Sequence, residues 1–261
     1  MINTLSPSPS DKATSHSTRL PKDSSQVAGY PASGRGERNS AGESAIKAVL
    51  FDLDGTFADT APDLAAALNH TRAMRNLPPL PIDILRPQAS HGSRGLLKIG
   101  FDIEPDMLEY GELQHIFLDY YARNICVHTK LFEEMAELVD ELEQRGLQWG
   151  IVTNKPHRFT LPLMQALGYA QRAACLVSGD TCSRAKPYPD TLLKACELLA
   201  IAPQYCLYLG DDKRDAEAAQ SAGIRCFIAR YGYISSPEEI SGWPVQGGID
   251  TPYQLLQYLI D

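Results

Sequence analysis

Two aspartates stand two residues apart in the hexapeptide Phe51-Asp52-Leu53-Asp54-Gly55-Thr56, directly after the apolar run Ala48-Val49-Leu50. In a continuing strand both carboxylates would project to one side. At a strand's end, where Gly55 lets the chain turn, both can face one point in space. That pairing suits a divalent cation held by Asp52 and Asp54 together with an attacking carboxylate. Asp52 then serves as nucleophile, and Asp54 as general acid followed by general base. The plainer reading is a loop whose Asp and Gly make a turn.

Three later segments could complete such a site. Gly150-Ile151-Val152-Thr153-Asn154-Lys155 ends an apolar run in a hydroxyl and an amide. Thr153 and Asn154 can donate to phosphate oxygens, or can cap the helix that Pro156 announces. In Lys186-Pro187-Tyr188-Pro189 the prolines restrict the backbone around one lysine. Lys186 is either a fixed ammonium that stabilises charge or a solvated lysine before a helix. Leu207-Tyr208-Leu209-Gly210-Asp211-Asp212 again ends an apolar run in acids. Asp211 either completes a metal site, buttressed by Asp215 four residues on, or is an ordinary acid at a helix start.

Short apolar runs must position these groups. Ala48 to Phe51, Gln148 to Val152, Cys175 to Ser178, Cys206 to Leu209 and Arg225 to Ala229 read as buried parallel strands. Helical periodicity lies between them, over Phe132 to Arg145, Pro189 to Leu199 and Lys213 to Ala222. Strand alternating with helix implies an α/β domain on a parallel sheet. The stretch 62–126 interrupts that rhythm. It reads as helical, with breaks at Pro78-Pro79-Leu80-Pro81 and Ser90-His91-Gly92. The expected organisation is a tail over 1–45, a core over 46–61 and 127–261, and a helical insertion over 62–126.

The 261 residues are 44% apolar, ample for a buried core, and carry a formal net charge of −8. That sign argues against nucleic acid or an anionic membrane surface as partner. The six cysteines form no Cys-x-x-Cys pair and several sit inside apolar runs, as buried reduced thiols do. No apolar stretch is long enough to span a membrane and no secretory signal opens the chain, so the cytoplasm is the expected location. The Ser-, Pro- and Gly-rich residues 1 to about 44 cannot bury enough apolar area to offset their ordering entropy and are expected to be disordered.

The four segments, in this order and each at a strand's end, closely resemble the signature of the haloacid dehalogenase-like superfamily over Ile46 to Asp261. The resemblance implies a Rossmann-like parallel-sheet core with an inserted helical C1-type cap. It makes Asp52 the nucleophile, Asp54 the acid/base, Thr153 and Lys186 the phosphate binders and Asp211 a ligand of Mg2+. The implied substrate is a small phosphorylated metabolite. Asp52 attacks phosphorus while Asp54 protonates the leaving alcohol, and Asp54 then activates water to hydrolyse the aspartyl-phosphate. Phe57 stands where Leu is usual.

Within the superfamily the chain looks like the phosphoglycolate phosphatase-like group, and more narrowly like N-acetylmuramic acid 6-phosphate phosphatases, which act in peptidoglycan recycling. That narrower likeness rests on Cys126 to Glu133, Val152 to Phe159, Arg230 to Ile234 and the Gly242-Trp243 tail. The insertion loop Ser90-His91-Gly92-Ser93-Arg94-Gly95 is the expected specificity element. Arg94 can pair with a substrate carboxylate or be a surface arginine; His91 can donate to a sugar hydroxyl or be an ordinary loop histidine. His128 and Lys130 can line the cleft or pack a hinge. Three other readings stay open: a 2-phosphoglycolate phosphatase, a β-phosphoglucomutase-like isomerase, and a non-catalytic scaffold. Asp54 and Asp211 argue against a metal-free dehalogenase. Monomer and dimer are equally compatible with the sequence.

Overall fold

The computed structural model describes residues 46–234 and 240–259. The expected disordered tail lies outside them. Six parallel strands form the main sheet: β1 (Ala48–Phe51), β4 (Gln148–Val152), β5 (Cys175–Val177), β6 (Cys206–Gly210), β7 (Arg225–Ala229) and β8 (Gly247–Ile249). Their order is β5-β4-β1-β6-β7-β8. Counted along the sheet's own strands this is 3-2-1-4-5-6, the Rossmann order, whose ligand crevice opens where the order reverses beside β1. The five expected strands are all present. The expectation lacked β8, whose Gly247-Gly248 start carries no apolar signal.

Alternation along each strand builds two buried layers. Val49 and Phe51 face Met135, Leu138 and Leu142 of α5 (Met135–Gln144). Ala48 and Leu50 face α7 (Asp190–Leu199) and α8 (Lys213–Ala222). Phe57 is fully buried and stacks on Trp149 with ring centroids 5.5 Å apart, which gives the unusual aromatic a partner. A further helix, α6 (His157–Ala166), follows β4.

Between β1 and α5 the chain leaves and re-enters the core through a two-stranded antiparallel ribbon, β2 (Ala58–Asp59) against β3 (Lys130–Leu131). Helices α1 (Ala61–Ala73), α2 (Ile82–Leu85), a 3-10 turn over Arg86–His91, α3 (Gly92–Phe101) and α4 (Tyr110–Arg123) lie between the two arms. They bury an apolar cluster of their own, including Leu68, Leu96, Leu97 and Phe117, joined by Phe159 of α6 and by Tyr233. The ribbon is clamped by one carboxylate. Asp63, buried in the first turn of α1, accepts from the backbone N–H of Val127, His128 and Thr129 and from the Thr129 hydroxyl at 2.7–3.0 Å. His128 and Lys130 therefore belong to this junction.

Candidate active site

Strand register brings the chemistry-bearing residues to one edge. Phe51 lies opposite Ile151 on one side and Leu209 on the other. Asp52, Thr153 and Asp211 thus leave neighbouring strands at nearly the same height. Asp52 N–H still donates to the Leu209 carbonyl (2.9 Å), and Thr153 N–H to that of Val177 (2.9 Å). Gly55 then turns the chain at φ +84°, and a Cβ there would collide with the Asp211 carboxylate, so no larger residue fits.

Three carboxylates converge. Asp52, Asp211 and Asp215 each place an oxygen within 4.8 Å of the others, and all three are buried. Burial pushes the Asp52 carboxyl up to about 7; Lys186 pulls it down and Asp215 pushes it further up. Burial, then Asp52 and Asp215, hold the Asp211 carboxyl well above the usual carboxylate range. Asp211 accepts from the Thr56 hydroxyl (3.1 Å) and the Tyr233 N–H (2.9 Å). Asp215 is the N3 residue of α8. It accepts the Asp212 N–H (3.0 Å) in a capping box, and its other oxygen accepts from Lys186 and Tyr208. Asp52 Oδ1 is buried, and its one close polar partner among the described residues is the Lys186 ammonium at 2.9 Å. Three buried carboxylates with one ammonium among them fit a hard divalent cation. The sequence expected Asp54 in that set; the structure groups Asp215 with Asp52 and Asp211 instead.

Lys186 is the positive centre of the cluster. Its ammonium lies 2.6 Å from Asp215, 2.9 Å from Asp52, 2.8 Å from the Tyr208 hydroxyl and 3.1 Å from the Val152 carbonyl. Burial opposes its charge, but Asp215 and Asp52 outweigh burial and raise its pKa. Asn154 holds that lysine in place. Its amide donates to the Lys186 carbonyl and accepts the Lys186 N–H, both at 2.9 Å. Asn154 was expected as a substrate donor; its oxygen and one amide N–H engage the Lys186 backbone, which leaves its second N–H, and the residue lines the catalytic cavity. Thr153 is buried, and its hydroxyl oxygen accepts the Lys155 N–H (3.2 Å). It makes no donor bond among the described residues, so its proton is free for an acceptor in the cavity.

Asp54 is set by a different lysine, one the sequence reading left without a role. Lys155 Nζ lies 2.9 Å from Asp54 Oδ1 and 4.7 Å above the ring of Tyr121 on α4. Burial opposes the Lys155 charge, yet Asp54 and Tyr121 outweigh it and keep its pKa above the ordinary lysine value. The Thr60 hydroxyl donates to the same Asp54 oxygen at 2.6 Å. A lysine at the end of an apolar strand, where solvation is poor, was the available signal for Lys155.

The loop before α3 closes the other wall. Ser90 Oγ donates to Asp211 Oδ2 (3.1 Å), and the Ser90 carbonyl accepts from Arg214 (2.9 Å), which also grips Asp212. His91 is half exposed and 4.0 Å from Asp212; Arg94 is 70% exposed and 3.5 Å from Glu104. Both line a cavity of about 380 Å³ together with Asp52, Asp54, Thr153, Asn154, Lys155 and Lys186. Asp211 borders a smaller neighbouring cleft of about 100 Å³ behind Ser90. Arg230 and Tyr231 line neither: Arg230 pairs with Asp250 and Tyr231 donates to the Thr56 carbonyl.

A doubly wound parallel sheet, aspartates at the carboxyl ends of its central strands and helices inserted after the first of them define an α/β protein with a carboxylate-lined crevice at its topological switch point. Comparison with known proteins narrows the class. The chain belongs to the haloacid dehalogenase-like hydrolase family, whose model matches residues 49–229. It is 41% identical over 210 residues to the N-acetylmuramic acid 6-phosphate phosphatase of Pseudomonas putida, covering 80% of this chain and 94% of that protein. It is 38% identical over 209 residues to the phosphoglycolate phosphatase of Xanthomonas campestris pv. campestris, covering 80% and 94%. Among solved structures it resembles a predicted phosphoglycolate phosphatase from Haemophilus somnus, with a TM-score of 0.73 and 26% identity over 82% of this chain and 98% of that one.

Proposed function

We propose that this phosphoric monoester hydrolase cleaves N-acetylmuramic acid 6-phosphate, and so serves peptidoglycan recycling in the cytoplasm. One observation carries the chemistry: Asp52 is buried on the lining of the cavity, beside Asp211 and Asp215 and with the Lys186 ammonium 2.9 Å from its Oδ1. The substrate reading rests on the 41% identity to relatives that bear that name along nearly their whole length. The free thiols of all six cysteines support a reducing compartment. The helices over 62–126 act as a cap on the core.

Asp52 attacks the phosphorus of the ester. The P–O bond to the sugar breaks, Asp54 gives its proton to the departing alkoxide, and Asp52 carries the phosphoryl group. Asp54, now a carboxylate, takes a proton from water, which attacks phosphorus and releases phosphate and free Asp52. Asp52, Asp211 and Asp215 would hold Mg2+, which supplies charge neutralisation to the phosphoryl oxygens. Lys186 holds Asp52 in line, Asn154 holds Lys186, and Lys155 fixes Asp54. Thr153 donates its hydroxyl proton to a phosphoryl oxygen. Ser90, His91 and Arg94 line the insertion side of the cavity.

A second reading, 2-phosphoglycolate, has the 38% relatives in its favour. Phosphate release in Mg2+ from N-acetylmuramic acid 6-phosphate, 2-phosphoglycolate, glucose 6-phosphate and β-glucose 1-phosphate decides. A kcat/KM at least tenfold higher for the muramate ester, about 1.4 kcal/mol, is the expected result. Preference for 2-phosphoglycolate moves the substrate and leaves the chemistry. Conversion of β-glucose 1-phosphate without phosphate release makes the protein an isomerase.

A further inference from the structure

Two cavities meet between α4 and α6. The catalytic one, about 380 Å³, adjoins an open groove of about 540 Å³ along one face of α4. Gln114, Leu118, Arg158 and Phe159 line both. Asp52, Asp54 and Lys186 do not line the groove, so it lies beyond the reacting end of the site.

The cations around the catalytic cavity are almost all spent. Lys155 pairs with Asp54, Lys186 with Asp52 and Asp215, Arg214 with Asp212 and Arg94 with Glu104; His91 leans on Asp212 at 4.0 Å. The carboxylate in the groove, Asp119, is paired with Arg123 at 2.9 Å. Arg158 alone among these described cations has no ion-pair partner. Arg158 is exposed, and its guanidinium lies 4.7 Å above the ring of the buried Phe159. The structure thus presents one uncommitted, planar, five-donor cation where the two spaces join.

We infer that Arg158 reads a carboxylate on the leaving-group portion of the substrate, and that the adjoining groove takes the arm bearing it. This rests on the phosphatase reading above. It gives to α6 of the core a role that the sequence offered to Arg94 of the insertion. A guanidinium already paired with Glu104 must give up that partner to bind substrate, whereas Arg158 gives up only water. A two-carbon acid brings no arm for a second space, whereas a sugar phosphate with an acidic ether arm does.

The test compares two esters that differ in that arm. N-acetylmuramic acid 6-phosphate carries it; N-acetylglucosamine 6-phosphate does not. For the wild type the ratio of their kcat/KM values reports on the substrate reading. For Arg158→Gln the change in that ratio reports on the inference. The expected result is a fall of about 30-fold for the muramate ester, mostly in KM, with the glucosamine ester changed by less than about threefold; a charge-assisted bidentate pair supports that size. Arg158→Lys should recover part of the loss. A wild-type ratio near one overturns both the muramate reading and the inference. A large ratio that survives Arg158→Gln overturns the inference alone. An equal fall on both esters assigns Arg158 a structural role, and a 30-fold loss from Arg94→Gln instead returns carboxylate recognition to the insertion; either result overturns the inference.

Discussion

The two walls of the catalytic cavity are held in different ways. On the sheet side, Asp52, Thr153 and Asp211 hang from strands whose register is fixed by backbone bonds, and Lys186 binds four oxygens within 3.1 Å. On the insertion side, Arg94 and His91 reach their partners only at 3.5 and 4.0 Å and remain largely solvated. Ser90 is the exception, with two bonds to the core. The difference teaches that one wall is built to place charge to within a fraction of an ångström. The other meets solvent through its Arg94 and His91 side chains.

Experiments can break or sharpen that contrast. Asp52→Asn, nearly isosteric, should lower kcat by about 10⁴-fold or more while the circular dichroism spectrum stays unchanged, since no other carboxylate can take the phosphoryl group. Appreciable turnover in that variant would sink the nucleophile assignment. Chelation by EDTA should reduce activity by about 10³-fold and added Mg2+ should restore it; activity indifferent to both would leave the acidic cluster without its proposed role. Lys155→Met should cost about 10²-fold in kcat, because Asp54 loses its partner and Tyr121 its cation. A change confined to KM would move Lys155 to substrate binding. On the looser wall, Ser90→Ala removes one hydrogen bond and should cost only about fivefold, read in KM. An effect as large as that of Lys155→Met would erase the contrast between the walls.

A pH series sharpens it further. The Asp52 carboxyl titrates near 7 in the fold against an ordinary 3.8, so between those values the folded chain holds more protons than the unfolded one. Stability of metal-free protein should therefore fall as pH rises from about 5 to 8, seen as a declining Tm. Mg2+ at pH 8 should lift that Tm, and Asp52→Asn should flatten the slope. A flat profile in metal-free wild type would show that Lys186 alone balances the cluster.

The sheet and its carboxylates were legible in the sequence because buried parallel strands are continuous apolar runs, and because Asp52, Thr153, Lys186 and Asp211 each end one or sit beside a proline. What escaped was written elsewhere. β8 begins with two glycines, and the ribbon arms β2 and β3 are two residues each, too short for any period. Asn154 read as a phosphate donor and Lys155 had no role; only tertiary contacts send Lys155 to Asp54 and Asn154 to the Lys186 backbone. Asp215 read as a buttress, and only the fold of α8 carries it to within 4.8 Å of Asp52. Arg158 was visible as a residue but not as an unpaired charge, which depends on where every other charge goes.

The Asp63 clamp has a consequence for how such a molecule can change over generations. Both ends of the helical insertion are stitched together by one carboxylate and a ribbon two residues wide. The chain therefore enters and leaves the insertion at one seam. The material beyond that seam supplies no strand of the main sheet, so changes there reach the reactive floor only through side chains such as Ser90 and Tyr121. A lineage that keeps Asp63 and the three amides it gathers keeps its freedom to retailor everything above them.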